Sequence, residues 1–94
     1  MKIEYSNRFL ADLQNISTES RLSFGAAVSN ELELYIHKTI GQIASLPESA
    51  PSVEERQGVH VLSLVKYPYK IFYSILSDRI KIQLIRHTAR RPLI

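Results

Sequence analysis

The chain has 94 residues, 12 Lys+Arg against 9 Asp+Glu for a formal charge of +3, and no cysteine. That length fits one domain spanning 1–94, and the missing thiols exclude a disulfide scaffold, thiol catalysis and thiolate metal sites. At 45% hydrophobic and 22% charged residues the composition is globular rather than disordered.

No apolar run approaches the roughly 18 residues of a membrane span, and Met1-Lys2-Ile3-Glu4 opens no secretory signal, so a cytoplasmic protein without membrane contact is expected. Lys2 to Tyr5 alternates Ile3 and Tyr5 against Lys2 and Glu4 and predicts a strand. Ser6 or Asn7 is placed to cap a helix carrying Phe9, Leu10, Leu13 and Ile16 on one stripe. Ser17-Thr18-Glu19-Ser20 interrupts that stripe and supplies the next cap. A second helix is expected from about Glu19 to Leu46, with Phe24, Val28, Leu32, Tyr35, Ile36, Ile40, Ile43 and Leu46 at helical spacing. Gly25 and Gly41 cost it about 1 kcal/mol each relative to Ala, and Pro47 ends it.

Residues 47–58 contain two prolines and read as a connecting loop. Val59–Val65, Lys70–Leu76 and Arg79–His87 are rich in β-branched and aromatic residues and predict three strands, the last two joined as a hairpin through Ser77-Asp78. No room exists between them for a parallel crossover, so they are antiparallel. The fold class is α+β: an N-terminal strand, a helical hairpin, then three antiparallel strands forming a small sheet packed on the helices.

A turn centred on Ser77-Asp78 opposes Ile75 with Ile80, Tyr73 with Ile82 and Ile71 with Leu84. Those six residues then form the face toward the helices. Lys70, Phe72, Ser74, Lys81, Gln83, Ile85 and His87 form the other, with Lys70 and His87 on the same side. One residue more in the loop would invert the assignment.

Charge is unevenly spread. Through Glu55 there are four cations and eight anions; from Arg56 onward eight cations face Asp78 alone. A polyanionic or acidic partner for the C-terminal half is one reading, a solvated basic face the other. His37 and His60 do not fall at ligand spacing, and no metal or cofactor is called for.

Leu62-Ser63-Leu64-Val65-Lys66-Tyr67-Pro68-Tyr69-Lys70-Ile71-Phe72-Tyr73 and, after a short turn, Ile82-Gln83-Leu84-Ile85-Arg86-His87-Thr88-Ala89-Arg90-Arg91-Pro92 resemble the RelE/ParE superfamily of toxins from type II toxin–antitoxin systems. The resemblance covers the whole chain in element order. It implies growth inhibition, neutralisation by a cognate antitoxin with an acidic tail, and a target that is either DNA gyrase (ParE-like) or the ribosome and its mRNA (RelE-like). For the ribonuclease branch it places Lys70 near a strand cation, Arg90 near a second cation, and His87 as general acid/base. The nucleases' C-terminal Tyr has no counterpart in Pro92-Leu93-Ile94, and the His-x-x-Arg-Arg-Pro ending is similar to ParE-like chains, which favours gyrase. Arg56, Lys66, Lys81, Arg86 and Arg91 are the expected target or nucleic-acid contacts, and Phe72 and Ile85 the expected antitoxin contacts. The remaining reading is a harmless antitoxin-binding remnant.

Overall fold

A computed structural model describes residues 2–46 and 58–88. In chain order the elements are β1 (Lys2–Tyr5), α1 (Asn7–Phe24), α2 (Ala26–Ser45), β2 (Val59–Ser63), β3 (Tyr69–Ile75) and β4 (Arg79–His87). The expected architecture is present: a four-stranded sheet in the order β1-β4-β3-β2, with the helical hairpin on one face. β2, β3 and β4 run antiparallel, while β1 pairs parallel with β4. Everything between β1 and β4 serves as that parallel pair's crossover.

Ser6 starts α1, its hydroxyl accepting the Phe9 N–H at 2.9 Å. The expected break at Ser17–Ser20 does not occur. α1 continues to Phe24, and the hairpin turns at Gly25, whose φ of 92° favours glycine. The Gly25 N–H closes α1 on the Arg21 carbonyl at 3.0 Å, and its own carbonyl accepts the Ser29 N–H at 3.2 Å to open α2. Ser17 acts across the seam between the helices, and Ser20 bonds within α1, instead of ending it. The Ser20 and Ser29 hydroxyls each donate to the Ser17 carbonyl at 3.1 Å, while the Ser17 hydroxyl bonds Glu33. Small side chains here let the helices approach, and each buried hydroxyl has a partner.

Phe9 and Ile16 of α1 meet Leu32, Ile36, Ile40 and Ile43 of α2 over Ile71, Tyr73, Ile80, Ile82 and Ile85 of the sheet. Four members of the predicted stripes lie elsewhere: Leu10 is half exposed, Phe24 is 71% exposed at the hairpin tip, Val28 is exposed near it, and Leu46 is exposed beyond α2. Phe24 left the stripe because the turn falls one residue after it. No helix among the described residues is long and apolar enough to cross a membrane.

Candidate functional site

The β3–β4 hairpin decides which charged side chains meet. Near its turn the predicted register holds, with Ile75 opposite Ile80 and Tyr73 opposite Ile82. A bulge then intervenes. Phe72 pairs with Leu84, Ile71 with Ile85, Lys70 with Arg86 and Tyr69 with His87, leaving Gln83 as the extra residue. Ser6 anchors it. Its N–H donates to the Ile82 carbonyl at 3.0 Å and its hydroxyl to the Gln83 carbonyl at 2.5 Å, while the Gln83 amide bonds the Ser74 hydroxyl.

The bulge overturns the predicted faces beyond it. Ile85, expected outside, is 4% exposed in the core beneath the helices, and Leu84 takes the outer face with Phe72. His87 follows Ile85 inward, and Lys70 stays outward beside Arg86, so the sheet separates Lys70 from His87. Arg90, Arg56 and Arg91 lie outside the described residues.

His87 packs edge-on against Tyr69, ring centroids 5.1 Å apart. It lines two clefts. One, of about 390 Å³, lies between α1 and β4 and includes Asp12, Asn15, Glu19 and Arg86. The other, of about 400 Å³, lies under the hairpin tip and includes Phe24, Val28, Leu32, Tyr67 and Tyr69. Asp12 also accepts the Ile85 N–H at 3.4 Å. Neither Asp12 nor Glu19 was picked out from the sequence, because no spacing signal links α1 to the end of β4.

The described basic residues do not converge in one pocket. Lys66 pairs with Glu31 on α2, which raises the ammonium pKa. That hydrogen bond, with a second from the Tyr67 hydroxyl, holds the Glu31 carboxyl below its ordinary range. Desolvation, then the bond to Glu31, pushes the Tyr67 phenol up. At the β1 end of the outer face Glu4 bonds Arg79 at 2.5 Å and lies 3.7 Å from Lys81; the Glu4 bond is the main cause raising the guanidinium pKa. At the other end Lys70 and Arg86 oppose each other, both exposed, and the Arg86 guanidinium lies 5.5 Å from the centroid of the half-buried Phe72 ring. Cleaving RNA from its 2′-OH needs cations and a proton-transfer group converging on one phosphate. The described residues put the cation pair and the imidazole on opposite sides of a sheet.

Among solved structures, the chain is similar to one described as a chromosomal ParDE TA system from P. aeruginosa, with 19% identity over 93% of this chain and 95% of that one and a TM-score of 0.82. The isolated E. coli RelE toxin matches at 13% identity over 96% of this chain and 86% of that one, TM-score 0.63. The intact E. coli RelBE toxin–antitoxin complex matches at 14% over 96% and 98%, TM-score 0.64. No curated protein sequence matches. A family model described as the ParE toxin of type II toxin–antitoxin systems, parDE, matches residues 3–92. The chain therefore belongs to the ParE toxin family of type II toxin–antitoxin systems.

Proposed function

We propose that the protein is the toxin of a type II pair, that it arrests growth in the cytoplasm by binding DNA gyrase without enzymatic chemistry, and that a cognate antitoxin neutralises it. One observation carries the choice of gyrase over RNA cleavage: the bulge after Ile82 leaves Lys70 and His87 on opposite faces, which argues against both contacting one substrate. Family membership supports the toxin role, and the fold shared with the toxin of the RelBE complex supports an antitoxin partner. The cation excess from Arg56 onward suits an acidic antitoxin segment, whose approach it would steer. Phe72 is the antitoxin contact that keeps an accessible position; Arg56, Lys66, Lys81, Arg86 and Arg91 remain the candidate target contacts.

Induction of the chain in a host carrying a reporter plasmid tests this directly. Growth should stop, reporter supercoiling should be lost, translated mRNA should stay intact, and an antitoxin from the same operon should restore growth. His87→Ala should remain toxic. Codon-linked mRNA cleavage abolished by His87→Ala would establish the ribonuclease reading with Lys70, His87 and Arg90. Harmless induction of a soluble, folded chain would establish the remnant.

A further inference from the structure

Lys70 and Arg86 face each other directly across the β3–β4 ladder, and neither has a carboxylate partner among the described residues. Like charges opposed in a ladder are destabilising, so the pair makes sense as a receptor for an anion rather than as a prop for the sheet. Paired residues across an antiparallel ladder have Cα atoms about 4.5–5.5 Å apart, close enough for the two charged ends to engage adjacent phosphates of one strand. Phe72 lies two residues along the same face from Lys70, with the Arg86 guanidinium near its ring. Ser63, exposed and paired with Lys70 on β2, adds a hydroxyl.

We infer that Lys70, Arg86 and Phe72 form a short binding site for single-stranded nucleic acid, the two cations holding backbone phosphate and the aromatic ring stacking a neighbouring base. Cation beside aromatic is what a sequence-tolerant single-strand platform requires. An acidic peptide would satisfy the cations but offers no base to the Phe72 ring and the guanidinium beside it. The footprint is small because Arg79 and Lys81, further along the same face, are already engaged by Glu4. Binding there is independent of whether gyrase is the toxin's target, and its readout is separate from growth arrest.

The test is fluorescence anisotropy of the purified chain with a labelled 12-nucleotide oligo(dT), titrated across salt concentrations. Two phosphate contacts on a single strand give a slope of log K against log[salt] of about −1.4. Lys70→Gln and Arg86→Gln should each weaken binding and bring the slope to about −0.7. Phe72→Leu should weaken binding about five- to tenfold with the slope kept. Lys38→Gln, which removes a cation from the exposed face of α2, should match wild type. Circular dichroism melts establish that each variant is folded; should Arg86→Gln not fold, Arg86→Lys is read instead, with slope kept and binding weakened. No binding by wild type, slopes unchanged in both glutamine variants, or an equal loss in Lys38→Gln would each overturn the site. So would displacement of the oligonucleotide by poly-glutamate as effective as by unlabelled oligo(dT), since charge alone would then be read.

Discussion

At one end of the outer sheet face Glu4 stands between Arg79 and Lys81; at the other, Lys70 and Arg86 oppose each other with no carboxylate among the described residues. Both ends share β4 and rest on the same apolar core. The difference comes from what lies alongside. β1 runs beside the first half of β4 and delivers Glu4 opposite Lys81, but it ends at Tyr5 opposite Ile82, short of the bulge. Beyond that point β4 has β3 as its strand neighbour, and β3 contributes Lys70. Charge is neutralised where it supports strand pairing and left open where a ligand is to be met.

The largest way to break this contrast is to release the bulge that separates the halves. Ser6 serves both the first turn of α1 and the Gln83 carbonyl. Ser6→Ala removes a cap contributing about 1 kcal/mol and a second, part-buried hydrogen bond of about 1 kcal/mol. A loss near 2 kcal/mol is expected in urea denaturation with unchanged m-value. A loss below about 0.5 kcal/mol, the low end for a cap alone, would mean the serine does not hold the two together.

Next in size is to make the open end resemble the closed one. Lys70→Glu sets a carboxylate opposite Arg86, replacing a repulsive pair with an attractive one. Stabilisation of about 0.2–1 kcal/mol is expected, together with loss of oligonucleotide binding. A variant that is less stable would show that the opposition of Lys70 and Arg86 carries no strain. The reverse change, Glu4→Gln, opens the closed end. Both Arg79 and Glu4 side chains are 40% exposed, so the stability loss should stay within a few tenths of a kcal/mol. The oligonucleotide salt slope should instead steepen as Lys81 becomes available, while Arg79 keeps its ion pair with Asp78.

The sequence made the inner half of this contrast readable and hid the outer half. Alternation in Arg79–His87 and helical spacing from Leu32 to Ile43 identify strands, helices and most of the core, because burial imposes a period. The turn at Ser77-Asp78 fixes the register as far as Tyr73 and Ile82. A bulge has no local code here: Gln83 is an ordinary strand residue, and what holds it is Ser6, 77 positions away. One inserted residue exchanged Leu84 with Ile85 and parted Lys70 from His87. The hairpin turn was missed for a related reason. Ser17, Thr18 and Ser20 resemble a helix boundary, whereas the Ser17 hydroxyl reaches Glu33 of α2 and the Ser20 hydroxyl bonds within α1, and Gly25, which costs a helix interior, makes the turn.

The smallest expected effect concerns a third arrangement, in which a cation is neutralised from the helical layer instead of from within the sheet. Glu31 of α2 takes hydrogen bonds from Lys66 and Tyr67, and its carboxyl is held below the ordinary value. A depressed carboxylate pKa means the unfolded chain binds the proton more readily, so this contribution is present at neutral pH and is lost as pH falls through the folded value. Lys66 runs the same way from the other side: its raised pKa adds stability that disappears only as pH climbs through the folded ammonium value. Thermal melts of Glu31→Gln and wild type should therefore differ slightly at pH 7 and converge in acid. Because Glu31 and Lys66 are both more than half exposed, salt should shrink the neutral-pH difference as well. A gap that widened in acid would place the support for Lys66 somewhere other than Glu31.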